Sequence, residues 1–308
     1  MTLKQLEAFY WAATCNSFAV AAERLHLSLS SLSKRVAELE SSLGVLLFDR
    51  SGRSARITPQ GEQMLPGIRR LLHSAAELQA SVNVSRGLQG HCRLGVGELS
   101  GLTWLPRLLM QAAEEHPDLQ VSPQVDIGQV LEQRTETGAL DCIVIAGPSS
   151  RGGLAVERIA QVDFVWVASR DFIARAGSDQ PQRLISEQRL ITLPEGSGSN
   201  RILDQWLEGR NLSVQQRLMC NSWGAVVGMV TEGLGFAFMP RKWAEAAVAA
   251  DGAALQIIGK GSPLPPLQYT VQWRRDDARP LITEMRRLIK QVIAFDAPRC
   301  FVPQDRPA

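Results

Sequence analysis

The sequence predicts an α/β protein carrying a separate helical head, on three observations. Apolar residues in roughly the first quarter of the chain recur at three- and four-residue steps. Strand and helix patterns alternate from about residue 91 onward, the mark of an α/β unit with a largely parallel sheet. At 308 residues the chain also exceeds the ~100–200 residues of one domain. A composition 45% hydrophobic and 21% charged excludes disordered and collagen-like classes. The net charge of +2 conceals an asymmetry: residues 1–90 hold ten basic and seven acidic side chains, so the positive excess lies there and points to a polyanionic partner.

Leu3, Leu6, Phe9, Tyr10 and Ala13 place a first amphipathic helix, ended by Asn16-Ser17. Ser17 caps a second, short helix with Phe18, Ala21, Ala22 and Leu25 on one face; Ala19, Ala21 and Ala22 are small enough for another helix to cross it closely. After a tight turn at His26-Leu27-Ser28, Ser28 caps a third helix. Its Leu32, Val36, Leu39 and Leu43 fall within about 60° of arc, and Gly44 stops it. The opposite face, Ser30, Ser33, Lys34, Ala37 and Ser41, is small and hydroxyl-rich. That suits insertion into a DNA major groove, but taken alone it fits an ordinary solvated helix face better, since exposed Ser/Lys faces are common. Residues 45–58 then form two apolar runs around Ser51-Gly52-Arg53-Ser54, a hairpin wing with Arg50, Arg53 and Arg56 near its turn. Thr58-Pro59 starts the next helix.

In order along these residues stand Leu3, Leu6 and Phe9, then Ser17-Phe18, Ala21-Ala22, Leu25, Ser28 and Ser33. Leu39-Glu40, Leu43-Gly44, Leu47-Phe48-Asp49-Arg50, Thr58-Pro59 and Gly61 complete the pattern, which resembles the LysR-type transcriptional regulators. The resemblance implies a winged helix-turn-helix whose third helix enters the major groove of double-stranded DNA while Arg53 reaches toward the minor groove or backbone. The DNA-contact candidates are Ser30, Ser31, Ser33, Lys34, Arg35, Arg50, Arg53 and Arg56. Leu29 departs from a frequent glutamine and cannot make the amide bonds that read adenine; Arg35 also replaces a common amide.

Ile68, Leu71, Ala75, Leu78 and Val82 then follow the spacing of a coiled-coil seam, with Pro66 near the start. Two such helices can pair, or one can pack on its own domain; the resemblance implies pairing, hence a homodimer or homotetramer. Beyond it, strands are expected at Arg93–Gly97, Leu119–Val125, Leu140–Ala146, Phe164–Ala168, Leu190–Leu193, Leu218–Cys220, Phe236–Met239 and Tyr269–Trp273. Helices near 105–112, 130–137, 201–208, 223–231, 241–249 and 281–293 complete two similar lobes with a cleft at their interface. The expected divisions are a DNA-binding domain at 1–60, a linker helix at 61–90 and an effector domain at 91–308. Lobe I covers about 91–161 and 267–300, lobe II about 162–266. In family terms this is a two-lobed, periplasmic-binding-protein-like α/β domain.

Helix N-termini pointing into that cleft suit a small anion or polar metabolite. Its loops supply the effector candidates Glu98, Ser100, Gly128, Ser197, Ser199, Asn200, Asn221 and Trp223. The resemblance, continued through Leu105-Pro106, Leu140-Asp141, Gly233-Leu234-Gly235 and Met239-Pro240, implies effector contact at Ser100 and 197–200, with 221–223 lining the same cleft. By composition alone the Gly-Ser-Gly-Ser run reads as a ligand loop or a surface turn, and it lacks the Lys-Ser/Thr ending of a nucleotide loop. Glu98 departs from the family's small or neutral residue. Facing the cleft it would penalise a carboxylate ligand and favour an amine; facing solvent it would do neither.

No cofactor and no metal are expected, since the four histidines and five dispersed cysteines lack ligand spacing. An enzyme using Ser100 or Ser197 as nucleophile lacks a nearby histidine in sequence and a Gly-x-Ser-x-Gly elbow. A transporter's solute-binding protein would need an export signal, which the opening residues do not resemble, and no stretch approaches ~20 apolar residues. The leading reading is an effector-modulated, sequence-specific transcriptional regulator in the cytoplasm, with no membrane association.

Overall fold

Thr2 and Gln5 open the first helix reciprocally: Gln5 N–H donates to Thr2 Oγ1 (3.3 Å) and Thr2 N–H to Gln5 Oε1 (2.9 Å), starting α1, Leu3–Thr14. The computed structural model describes residues 1–15, 17–51, 55–82, 87–149, 151–208, 210, 212–249 and 254–298. Ser17 caps α2 (Phe18–Arg24), accepting from Val20 N–H at 3.4 Å. His26, in the left-handed region with φ 51°, turns the chain into α3 (Leu29–Leu43), which Ser28 caps and Gly44 ends at φ 70°. Leu6, Phe9, Ala21, Leu32, Val36, Leu39 and Phe48 form the head's core, and the Phe48 ring lies 5.6 Å from Phe9 and 4.9 Å from Phe18.

The expected wing is a two-stranded antiparallel hairpin, β1 (Phe48–Asp49) and β2 (Arg56–Ile57), with Phe48 opposite Ile57 and Asp49 opposite Arg56. Its turn, with Arg53, lies outside the described residues. Thr58 accepts from Gly61 N–H (3.2 Å) at the start of α4 (Pro59–Val82), which runs through Pro66. Ile68 packs into the head's core, whereas Leu71 and Leu78 are exposed. The first helix departs from its expected face: Leu3 is half exposed and Trp11 is buried. Ala19, expected at a helix crossing, is also exposed. Trp11 is covered by Arg24 of α2 and by Arg279 of the body, contacts that no helical period reveals.

The body begins with β3 (Gly90–Val96), α5 (Glu98–Leu102), α6 (Leu105–Glu115), β4 (Leu119–Val125), α7 (Gly128–Glu136) and β5 (Cys142–Ala146). The segment expected as a loop at 98–103 is thus mostly a helical turn. A long strand absent from the sequence reading, β6 (Leu154–Val162), leads directly to β7 (Phe164–Ser169). Next come α8 (Arg170–Ala176), α9 (Pro181–Glu187), β8 (Arg189–Thr192), α10 (Gly198–Glu208), β9 (Gln216–Met219), α11 (Trp223–Thr231), β10 (Phe236–Pro240), α12 (Arg241–Ala249) and β11 (Leu255–Ile258). The chain returns through β12 (Leu267–Arg274) to α13 (Pro280–Val292). One sheet has the order β4-β3-β5-β12-β6 and the other β11-β7-β10-β8-β9, so the links β6–β7 and β11–β12 join the lobes.

Each sheet carries one reversed strand: β12 and β7 run antiparallel to both their neighbours, while the other four strands of each sheet point the same way. β6 escaped the sequence reading because its face alternates between exposed and half-buried residues.

Head and body meet on a buried charge network. Asp141, at the start of β5, is ion-paired with Arg24 of α2 and with Arg279 (2.5 Å), and accepts from Arg93 N–H (2.7 Å). Arg279 also pairs with Asp277 (2.5 Å). The Arg24 and Arg279 guanidiniums lie 3.7 and 5.1 Å from the centre of the Trp11 ring. Arg274 donates to Thr14 O (2.7 Å), satisfying a carbonyl at the end of α1.

Candidate nucleic-acid interface and interlobe cleft

Leu32, Val36 and Leu39 turn α3 inward, so its other side faces solvent. Ser30, Ser31, Lys34, Ala37 and Ser41 are exposed, while Ser33 and Arg35 flank them half-buried. Ser28 Oγ lies 2.9 Å from Ser30 Oγ and 2.8 Å from Ser31 Oγ, which orients the hydroxyls of the first turn. Arg35 leans toward α1, where its charge opposes the burial that raises the Glu7 carboxyl above its ordinary range. Arg50 and Arg56 are exposed on the wing strands.

Glu40 positions the wing, a role the sequence reading missed. Its buried carboxylate accepts from Leu47 N–H (2.8 Å) and Phe48 N–H (3.0 Å) and lies 3.3 Å from Arg50 Nη2. It therefore ties α3 to the first wing strand and holds one candidate arginine. Glu40→Ala is expected to destabilise the head by about 2–4 kcal/mol, because two backbone donors lose a charged acceptor. Urea unfolding of the full chain checks this; a change below ~0.5 kcal/mol would contradict the anchoring role.

In the body, several of the loops named from the sequence come together between the two lobes. Gly128 opens α7, and a side chain there would sit 3.9 Å from Gly196 O. Gly198, opening α10, lies so close to Ala146 that a Cβ would stand 2.2 Å from the alanine methyl; only glycine permits this approach between lobes. Arg201 Nη1 donates to Pro148 O (3.2 Å), a second link. A third is Glu98, whose Oε2 accepts from Trp223 N–H at 2.9 Å. Burial raises the Glu98 carboxyl, and the bonds from Trp223 N–H and the Ser222 hydroxyl draw it partway back.

Several buried polar atoms between these contacts have no hydrogen-bond partner: Ser100 Oγ, Thr192 Oγ1 and both amide atoms of Asn200. Ser197 and Ser199 satisfy each other at 3.0 Å. Asn221 is exposed. The Trp223 ring points into the core beside Phe164 (6.1 Å) and Trp243 (6.0 Å), which leaves its backbone N–H to Glu98. Thr192 was missed because it reads as one residue of an apolar strand; its orphaned hydroxyl is visible only in three dimensions.

The histidines lie elsewhere. His26, His73 and His91 line a cavity of about 820 Å³ between head, α4 and body. His116 Nε2 is 2.7 Å from Glu284 Oε1, and its Nδ1 accepts from Leu88 N–H (3.1 Å). Glu115, His116 and Glu284 bring ligand-type atoms within 4.8 Å of one another, a grouping invisible in sequence because Glu284 comes from α13. Arg287 pairs with both carboxylates, so the cluster serves as an ion-pair tie between α6 and α13. Cys15, Cys92 and Cys142 are buried thiols and Cys220 is half-buried. No described helix is long and apolar enough to cross a membrane.

Comparison with known proteins agrees with this architecture. The family model for the bacterial regulatory helix-turn-helix protein, lysR family, matches residues 3–62, and the model for the LysR substrate binding domain matches residues 85–294. A probable hydrogen peroxide-inducible genes activator of Mycobacterium xenopi is 38% identical over 165 residues, 53% of this chain and 87% of that protein. Among solved structures, a full-length OxyR variant from Pseudomonas aeruginosa superposes with a TM-score of 0.62 at 25% identity, covering 95% of this chain and 99% of that one. ArgP from Mycobacterium tuberculosis shares the fold, with a TM-score of 0.67 at 19% identity over 95% of this chain and 97% of its own. With the two family models spanning head and body in the order of the elements described, the chain belongs to the LysR family of bacterial helix-turn-helix transcriptional regulators.

Proposed function

We propose that this LysR-family regulator reads duplex DNA with α3 and the wing, and that a small molecule between the two lobes of the body modulates it. The observation that carries the reading is the division of α3: one side closes the head's core, while Ser30, Ser31, Lys34 and Ser41 remain exposed. In this reading the hydroxyls and Lys34 meet bases and phosphates, aided by Ser33 and Arg35 at the edges of that face. Arg50, Arg53 and Arg56 supply the wing's contacts to backbone or minor groove. The effector lies among Ser100, Gly128, Ser197, Ser199, Asn200 and the 221–223 turn, near Glu98; the orphaned atoms of Ser100 and Asn200 support this placement. Pairing of two chains through α4, whose Leu71 is exposed, presents two heads to a two-fold site.

No catalytic step belongs to this reading. A serine nucleophile needs a base, and the histidines stand at the head–body cavity and the α6–α13 tie rather than beside Ser100 or Ser197. The protein then works in the cytoplasm, where its DNA is.

A mobility-shift series with the duplex upstream of the protein's own coding sequence, at rising salt, tests the reading. Sequence-selective binding that weakens steeply with salt is expected, with a further shift on adding one metabolite. Ser33→Ala and Arg53→Ala are each expected to lower specific affinity about tenfold without changing the melting temperature. Undiminished affinity in both would place the reading surface elsewhere.

A further inference from the structure

We propose that Glu98 sets the charge class of the effector: its carboxylate, supplied by one lobe, occupies the N-terminus of α11 on the other, so the cleft takes neutral or cationic effectors and turns away those whose anionic group needs that position. The inference rests on reading the cleft as the effector site.

An α-helix N-terminus draws negative charge through its unpaired N–H groups. Along Trp223–Thr231, α11 carries no charged side chain. The anion at its first turn comes across the cleft: Glu98 Oε2 stands 2.9 Å from Trp223 N and meets the Ser222 hydroxyl. That position, where a ligand carboxylate would find its donors, is filled by the protein's own carboxylate. A second carboxylate beside it would meet a like charge in a half-buried setting.

The rest of the lining is consistent with this. The unpartnered groups on the neighbouring loops and strand end are the hydroxyls of Ser100 and Thr192 and the amide of Asn200, all uncharged. Arg201, the cation nearest this rim in sequence, is engaged with Pro148 O. The buried unpartnered groups of Ser100, Thr192 and Asn200 are thus neutral donors and acceptors beside the Glu98 carboxylate, a set that matches an amine, an amide or a polyol better than a carboxylic acid.

Acetate and methylammonium serve as probes on the full chain at constant ionic strength, with the Trp223 backbone amide resonance as local reporter and calorimetry for affinity. In the wild type the Trp223 amide should not respond to acetate. Glu98→Ala should bind acetate at least tenfold more tightly, with a shift at that amide, and lose affinity for methylammonium. Glu98→Gln, which retains an oxygen acceptor without the charge, should show a smaller gain of acetate and the same loss of methylammonium. The proposal is overturned if wild type takes up acetate at the Trp223 amide. It is also overturned if Glu98→Ala, with wild-type melting and DNA binding, binds acetate no more tightly than wild type. Should Glu98→Ala not fold, unchanged affinities for both probes in Glu98→Gln overturn it equally. Failure of the effector reading itself shows separately, as a DNA complex that no cleft ligand alters, whatever the acetate result.

Discussion

Asp141→Ala is expected to lower the stability of the chain by about 3–5 kcal/mol, the cost of removing one partner from a buried ion pair. Asp141 is 3% exposed, and its loss strips an acceptor from Arg24, Arg279 and the Arg93 N–H together. Arg24 is the more exposed to this loss: burial already depresses its pKa and Asp141 heads the opposing influences, whereas Arg279 keeps Asp277. Replacing Asp141 and Arg24 together by leucine and methionine should restore only the part of the loss that comes from the unpaired Arg24, since the Arg93 N–H and the Gly138 carbonyl still lose their partners. The effect has a defined pH signature. Burial raises the Asp141 carboxyl, but Arg279 and Arg24 outweigh it and hold the group below its ordinary value. Stability from a depressed carboxylate is full above the unfolded-state pKa near 4 and disappears as pH falls through the lower folded value. Urea unfolding at pH 7 should therefore separate wild type from Asp141→Ala by the full amount, with the gap closing below about pH 4. A gap under ~1 kcal/mol at pH 7 would mean that this network does not hold head and body together.

The largest expected effect on function comes from Lys34→Ala combined with Arg56→Ala. Both side chains are exposed, one on the outward face of α3 and one on the second wing strand. If each neutralises one phosphate, the double variant should lose about 100-fold in affinity near ~0.1 M salt. The slope of log affinity against log salt should shrink by roughly 1.8, about 0.9 per contact. The loss should be similar on specific and unrelated duplexes, because phosphate contacts carry no base information. Unfolding should shift by no more than ~0.5 kcal/mol, as for surface substitutions elsewhere. An unchanged salt slope would remove both residues from the DNA interface.

Much of the head was readable in advance because its determinants are local. Ser17, Ser28 and Thr58 cap helices within three residues of themselves, Gly44 supplies a left-handed stop, and the Leu32–Val36–Leu39 stripe needs only the helical period. Glu40 was passed over because its role depends on backbone donors seven and eight residues later, which no periodic pattern encodes. In the body, buried central strands such as Phe164–Ser169 announce themselves by unbroken apolar runs, whereas the half-exposed Leu154–Val162 does not. The short β11 and helices α8 and α9 were likewise not anticipated.

The cleft shows the same division. Its loops were named from glycine and serine patterns, yet which side chains meet there depended on the two lobes coming together. Glu98 was legible as a misplaced charge, but its orientation was open until α11, 125 residues away in sequence, brought a helix N-terminus to it. Trp11 looked like one aromatic among several on α1 until Arg24 and Arg279 covered it.

By itself the sequence determined the helices of the head, the exposed hydroxyl face of α3, the alternation of the body and the family, because each rests on hydrogen bonds and burial within a few residues or on an ordered string of residue types. Only the tertiary structure decided the strand directions, the Asp141 network between head and body, the orphaned polar atoms and the seat of Glu98. Those depend on which surfaces the folded chain desolvates together, and charges distant in sequence acquire partners only when burial makes an unpaired charge too costly to leave.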